Sequence, residues 1–289
     1  MSKPAGSAAS ALDSLIDALH ERGRLRVWSL AITVFGDAVV PRGGRVALSA
    51  LQEIMARLRI EPGALRTAMS RLASDGWVSR ERQGRNSYFS LDAHGRHAFD
   101  LATRRIYSGS TPAWSGNWTV AIAPPGLEAS PDLVNIGFVR VNGSVFLRPD
   151  TSDAPAADEE LSGMLVIHGT SAEHPETLRA LWPSEDIDAA YADFKSVYSP
   201  LLNALDDHAK LLPIDAMAAR TLLIHDWRRI ALRDPGLPAQ LLPDDWAGIG
   251  ARATAKAIYE HLLPASEAWL DGAGLAPHID RHRFLSRWK

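Results

Sequence analysis

The sequence predicts an α+β protein in three parts: an N-terminal winged helix-turn-helix, a small central α+β domain and a helical C-terminal domain. Three observations carry this prediction. Two short helical patterns, SALQEIMARLRI and EPGALRTAMSRLASDGW, follow one another with the spacing of a helix-turn-helix. A strand-turn-strand pattern rich in arginine comes directly after the second. From about residue 175 onward, apolar residues recur at three- and four-residue steps, the period of packed helices.

The bulk numbers set the limits. A chain of 289 residues suits two or three domains, and 46% hydrophobic residues with nine tryptophans supply sizeable cores. No run of 18 apolar residues reads as a membrane span, and MSKPAGSAASALDSL lacks the basic-then-apolar order of a secretory leader. Cysteine is absent, which removes disulfides, thiol catalysis and thiolate metal sites and fits a reducing, cytoplasmic setting. The net charge of -3 hides an asymmetry. Residues 1–105 carry 16 Lys/Arg against 10 Asp/Glu, and the remainder carries 15 against 24. A basic first third points to an anionic partner at that end.

In chain order, residues 1–23 form an extension with a short amphipathic helix around LDSLIDALHE. The winged domain spans 24–95. RLRVWSLAITVFGDAVV opens it as a buried helix running to about Phe35 and ending near Gly36-Asp37. PRGG is a turn and RVAL a short extended piece. Ser49 starts the next helix, with Gln52 at capping-box spacing and Leu48 at the staple position. Leu51, Ile54, Met55 and Leu58 mark its apolar face. In the following helix Pro62 suits the first turn. Leu65, Ala68, Met69 and Leu72 form its buried stripe, with Arg66, Ser70 and Ser74, flanked by Thr67 and Arg71, on the other side. WVSRERQGRNSYFSLD then folds as a hairpin about Gln83–Asn86. Trp77 clamps that sheet to the helix, and one of Tyr88 and Phe89 faces inward.

Residues 96–113 read as a linking helix and 114–174 as the central domain, with strands in NWTVAIAP, GFVRVNGSVFLRP and LSGMLVIHG and a turn at Asn142-Gly143. The acidic stretch PDTSDAPAADEE, 149–160, reads as an exposed loop. Residues 175–289 form the helical domain, interrupted by Pro/Gly-rich pieces such as RDPGLPAQLLPDDW.

The residues that carry chemistry lie at the basic end. A helix that presents Arg66 and Ser70 one turn apart, with Thr67 and Arg71 beside them, has the groups that read base edges or grip phosphates; the residues alone do not separate the two contacts. By itself this is also what an ordinary solvated helix face looks like. The hairpin tilts the choice: Arg80, Arg82, Gln83, Arg85 and Asn86 put charge on a thin projection next to that helix, and Arg42 and Arg45 stand in position for backbone contacts. Double-stranded DNA is therefore the expected partner.

Elsewhere the signals are weaker. Phosphate-loop, dinucleotide, zincin and nucleophile-elbow patterns are absent, so no catalytic residue, cofactor or metal is assigned. His278, Asp280 and His282 have metal-like spacing but no third ligand. His225-Asp226 fits a polar contact between helices better than a catalytic pair, with Arg229, Arg233 or a residue elsewhere in the chain as the partner of Asp226. The cluster Trp227, Arg228 and Arg229 is the expected contact for an anionic effector. The competing reading is a metal-dependent nuclease or other enzyme working through the central domain.

Five segments carry a resemblance to a known family: FGDAVVPRGGRVALSAL; LRTAMSRLASDGWVSRERQGRNSYFSL with Gly95 after it; WSGNW at 114–118; LWPSEDIDAAYADFKSVYSPL; and LLIHDWRRIALRDPGLPAQLLPDDWAG. From about 24 to 270 the chain resembles the PaaX family of phenylacetic-acid catabolon repressors. The resemblance implies a winged helix-turn-helix, a ferredoxin-like (Cas2-like) central domain and a helical C-terminal domain. It implies a homodimeric repressor of an aromatic-compound, phenylacetate-type operon, released from operator DNA by phenylacetyl-CoA or a related aromatic acyl-CoA. It places Arg66, Thr67, Ser70 and Arg71 in the recognition helix, Arg82, Gly84 and Arg85 in the wing, and Trp227, Arg228 and Arg229 in the C-terminal signature. The acidic loop 149–160 and the extension 1–23 depart from the family pattern.

Overall fold

The computed structural model describes residues 7–23, 25–108, 113–127, 133, 136–152, 154, 156–171, 185–234 and 236–288. It is an α+β protein whose contacts divide into two units. The first comprises Met1–Ser108, Asp193–Ala231 and Gly250–Lys289, and the second Gly109–Ala192 and Leu232–Ile249. The stretch 175–289, expected as one helical domain, is thus shared between them.

The first unit begins with α1 (Ala8–Glu21), capped by the Ser7 hydroxyl, which accepts the Ser10 N–H at 3.1 Å. Its Leu12, Leu15, Ile16 and Leu19 recur at helical spacing and are buried. α2 (Val27–Val34) follows. It does not stop at Gly36-Asp37. The chain continues through a π-helical turn at Phe35–Val39 and a 3₁₀ turn at Val40–Arg42, and ends at Gly43 and Gly44, both with positive φ. Gly36 is there for contact rather than termination: a Cβ on it would meet the Phe99 ring at 2.5 Å. Asp37 is drawn inward by buried cations, described below.

β1 (Arg45–Ala47) leads into α3 (Leu48–Arg57). The expected capping box does not form. Ala47 occupies the N-cap, no side chain caps the helix, and Ser49 already lies inside it. α4 (Pro62–Ser74) starts on Pro62 as expected and buries Leu65, Ala68, Met69 and Leu72. It closes at Gly76 (φ 71°), where Trp77 N–H returns to the Leu72 carbonyl at 2.9 Å, a left-handed C-cap that needs glycine. β2 (Val78–Gln83) and β3 (Asn86–Leu91) are joined by Gly84-Arg85, and the sheet order is β1-β3-β2, all antiparallel. Phe89 is the inward member of the Tyr88-Phe89 pair. α5 (Ala93–Ile106) packs back on β3, with Gly95 close to the Trp77 carbonyl.

Later helices complete this unit: α6 (Glu185–Asp206) from Asp193 on, α7 (Pro213–Ala231), α8 (Ala247–Gly272) from Gly250 on, and the short α9 (Arg281–Leu285). α7 is buried almost all round and touches α1, α2, α3 and α5. A chain of ion pairs runs through this packing. Asp37 Oδ2 accepts Arg220 Nε at 2.6 Å, and its Oδ1 accepts Arg287 at 2.5 Å and the Tyr107 hydroxyl at 2.6 Å. Arg220 also donates to Glu267 at 2.6 Å, and Glu267 accepts Arg42 and His278, each at 2.6 Å. Arg42 ends the chain on Asp271 at 2.8 Å.

The second unit holds β4 (Trp114–Ile122), β5 (Val139–Asn142), β6 (Val145–Thr151) and β7 (Leu165–Thr170) in the antiparallel order β5-β6-β4-β7. Ala121, Ala123, Leu133, Phe138, Phe146 and Ala157 form its core. The stretch 149–160 is only partly the exposed loop expected of it. Pro149–Thr151 extend β6, and Ala157 is buried because the core needs an apolar residue there. In the same unit the Tyr191 hydroxyl donates to Asp234 at 2.6 Å.

Asp37 is the most constrained carboxylate. Burial alone would raise its pKa, but Arg220 and then Arg287 outweigh burial and hold it below the ordinary carboxylate range; Glu267 is lowered in the same way, by Arg220 first. Removing one partner strands buried charges, so Asp37→Asn should destabilise the fold by about 3–5 kcal/mol in urea denaturation. Because both folded pKa values are depressed, this stabilisation is full above the unfolded-state pKa values, roughly 4, and is lost as pH falls through the folded ones. Acid denaturation should begin at higher pH in the variant; an unchanged acid midpoint would count against this assignment.

Candidate nucleic-acid interface

The apolar stripe of α4 decides which of its residues face solvent. With Leu65, Ala68, Met69 and Leu72 turned inward, Arg66, Thr67, Ser70, Arg71 and Ser74 all end up exposed. Together with Asp75 they line an open concavity of about 550 Å³. Within it the side chains differ. Thr67 donates its hydroxyl to the Gly63 carbonyl at 3.1 Å, which still leaves the oxygen able to accept. Arg71 lies 3.5 Å from Asp75 in an exposed i,i+4 pair. Arg66 makes no hydrogen bond or ion pair among the described residues, so its fork of N–H groups is available to a ligand.

The hairpin supplies the second group. Arg82, Gln83, Gly84, Arg85 and Asn86 are all exposed at its tip, and the Gln83↔Asn86 register makes the turn two residues long. Arg82 bends back to the Gly84 carbonyl at 3.3 Å, and Arg80 reaches the Ser87 hydroxyl at 2.9 Å. Arg45 braces this element. It sits over the Tyr88 ring at 3.7 Å, donates to Gln83 at 3.2 Å and lies 3.4 Å from Glu81. A basic helix face and a basic hairpin tip on consecutive elements suit a polyanion.

Arg42 does not join them. Only 3% exposed, it donates to Glu267, Asp271 and the Ala276 carbonyl, so the structure corrects its expected role as a backbone contact: its donors are used inside the protein. The expected effector cluster is also taken apart. Trp227 is fully buried, gives its indole N–H to the Ile106 carbonyl at 2.7 Å and packs on Phe194. It is a core residue, because the helix face it occupies is covered all round. Arg228 turns to α2, where it donates to Thr33 at 2.8 Å and to the Ser29 carbonyl and hydroxyl at 3.0 and 2.6 Å. Arg229 is exposed. Asp226 pairs with Arg22 at 2.9 Å and Tyr198 at 3.1 Å rather than with the arginines near it in sequence. In HIDRH, His278 donates to Glu267 and Asp280 caps α9. No group of three or more potential ligands gathers among the described residues.

Sequence reasoning passed over the buried network of Asp37, Arg220 and Glu267. A signal existed for two of them. Asp37 is a lone acid inside VFGDAVV, and Arg220 a lone cation inside AMAARTLLI. An isolated charge in an apolar run is either exposed or paired, and here both are paired.

The fold and this surface define a protein with a basic, helix-and-hairpin face set on a helical body, the class that regulators of nucleic acid occupy. Comparison with known proteins is specific. Residues 26–95 match the family model of PaaX-like proteins, and residues 182–272 match that of the PaaX-like C-terminal domain. The transcriptional repressor PaaX of Escherichia coli (strain K12) is 30% identical over 264 residues, covering 85% of this chain and 83% of that protein. The chain belongs to the PaaX family of transcriptional regulators. Among solved structures, an uncharacterized protein of Mycobacterium tuberculosis (Rv0674) shares the fold with a TM-score of 0.50 and 23% identity, over 77% of this chain and 91% of that one. No helix among the described residues is long and apolar enough to cross a membrane.

His225, next to this surface's supporting helix α2, gives a direct check on the packing. Its ring lies 3.2 Å from the Thr33 hydroxyl, and burial, followed by Arg228, Arg229 and Arg22, lowers its pKa to about 3. The ring should therefore stay neutral from pH 8 down to pH 5 in heteronuclear NMR. A titration midpoint near 6.5 would show that the α2–α7 seam is open to water. Since the folded pKa is depressed, stability should decline as pH falls from the unfolded-state value toward 3.

Proposed function

We propose that this protein is a ligand-responsive repressor that binds double-stranded operator DNA through a winged helix-turn-helix formed by residues 24–95. α3 and α4 are the helix-turn-helix, α4 is the recognition helix in the major groove, and the β2–β3 hairpin is the wing on the backbone or minor groove. One observation carries the reading: Arg66, Thr67, Ser70 and Arg71 are exposed together on α4, and the hairpin that follows it in the chain has an exposed tip bearing Arg82, Gln83, Arg85 and Asn86. The repressor activity named for the Escherichia coli relative supports the same direction of control. The order β5-β6-β4-β7, with the first strand of the sheet inside and its second and fourth at the edges, supports a ferredoxin-like central domain over 114–174. The protein acts in the cytoplasm as a homodimer that presents two recognition helices to a near-palindromic site. An aromatic acyl-CoA, phenylacetyl-CoA or a relative, releases it from the operator of an aromatic-degradation operon. The nuclease alternative lacks support, since no metal-ligand group gathers among the described residues.

Gel retardation and protection mapping on upstream DNA of the source genome test this. Arg66→Ala should weaken specific binding by about 1–3 kcal/mol while affecting scrambled duplex less. Equal loss on both would make Arg66 a phosphate contact, and no loss on either would remove α4 from the interface. Arg82→Ala and Arg85→Ala should weaken binding to all sequences and each flatten the salt dependence by roughly one counterion. Phenylacetyl-CoA should release the intact duplex; cleavage of the duplex with divalent metal would overturn the regulator reading in favour of the enzyme.

A further inference from the structure

Arg228 differs from the arginines of the buried ion-pair network. Arg42, Arg220 and Arg287 each meet a carboxylate. Arg228 meets none among the described residues, and its acceptors are all neutral: the Thr33 hydroxyl, the Ser29 hydroxyl and the Ser29 carbonyl. Those bonds use Nε and Nη2. Nη1 donates to nothing among the described residues, and it is not among their fully buried unpaired atoms. The carboxylate two positions before Arg228, Asp226, is already taken by Arg22 and Tyr198. The surroundings register this excess of positive charge. Arg228 itself is lowered to about 10 by burial and then by Arg229, and the neighbouring His225 is kept neutral. A half-buried guanidinium held in place by three neutral acceptors, with its Nη1 unused and no carboxylate on it among the described residues, is a preformed seat for an anion.

We propose that Arg228 anchors an oxyanion-binding site at the seam between α7 and α2, taking a carboxylate or phosphate group of a small-molecule ligand through Nη1. The site needs no DNA. Its consequence for repression rests on the regulator reading: α2 is the helix that packs directly on α4, and Ser29 and Thr33 of α2 hold the guanidinium whose Nη1 takes the anion. A ligand there alters the grip of α7 on the helix that backs the recognition helix. Trp28, 39% exposed and adjacent in sequence to Ser29, gives the same end of α2 an apolar surface.

The test is calorimetric titration and thermal melting of the full chain with inorganic phosphate and with phenylacetate, against chloride at matched ionic strength. The expected result is saturable binding of one anion per chain and a raised Tm. Phosphate binding alone would assign the seat to a phosphoryl group, and phenylacetate binding alone to a carboxylate. Arg228→Lys keeps the cation and the fold but loses the fork, and should weaken binding roughly ten-fold. Arg228→Gln should abolish it; where that variant fails to fold, the lysine variant decides. Arg229→Gln should leave binding within about two-fold of wild type, because a neighbouring exposed charge adds little. No saturable binding of either anion, or equal binding by wild type and Arg228→Lys, would overturn the site. Operator retardation by Arg228→Lys without added anion is scored separately: wild-type chain that binds the anion but retards no duplex would sink the regulator reading and leave the site standing.

Discussion

The salt bridge between Asp37 and Arg220 is the contact around which the first unit is organised. Both side chains are sealed from solvent, and each is held by more than one partner. Taking two charges out of water is expensive, and the cost is offset only when geometry is good and the remaining lone pairs and N–H groups are satisfied. Here they are. Tyr107 and Tyr259 donate to Asp37, Arg287 closes its other side, and Ser266 and Glu267 complete Arg220. The same carboxylate explains why α2 does not end at Gly36. A π turn inserts one extra residue per turn, and here it carries Asp37 toward α7.

This arrangement ties the elements that carry the basic face to the C-terminal helices within one compact unit. Arg42 lies three residues before β1 and is tied to Glu267 and Asp271 on α8, and the Pro41 carbonyl accepts the Ile279 N–H at 2.9 Å. α1, outside the family pattern, is also built in. Its Asp13 and Asp17 hold Arg57 and Arg59 at the end of α3, and His20 donates to the Leu58 carbonyl at 2.9 Å. α3 and α4 thus stand on packed helices on one side and face solvent on the other. A basic surface needs such backing if its side chains are to hold a fixed register on a rigid duplex.

Much of this was legible in sequence, and the pattern of success follows the range of the interaction. The buried stripe of α4, its start at Pro62, its stop at Gly76 and the hairpin about Gln83–Asn86 depend on residues within a turn or two, and they stand as read. The Ser49 capping box failed because β1 runs straight into α3 and the helix begins one residue earlier, leaving Ser49 inside. Arg42 and Trp227 failed for a different reason. Arg42 has the same local credentials as Arg45, a cation in a glycine-bearing turn, but its partner stands 225 positions along the chain. Trp227 reads as an interface aromatic until Ile106, Phe194 and Trp288 close over it.

By itself, the sequence determined the kinds of elements, their order, and which side of α4 and which end of the hairpin carry charge, because helix and strand periods are short-range properties that the hydrophobic pattern imposes directly. Family membership was legible there for the same reason, in segments whose order could be read without coordinates. The tertiary structure decided which arginines are free. Arg66 and Arg85 face outward, Arg42 and Arg220 are consumed by carboxylates, and Arg228 is held by neutral oxygens with its Nη1 unused among the described residues. The reason is physical. A guanidinium's role depends on desolvation and on the nearest counter-charge, and both are set by chain segments that only folding brings together.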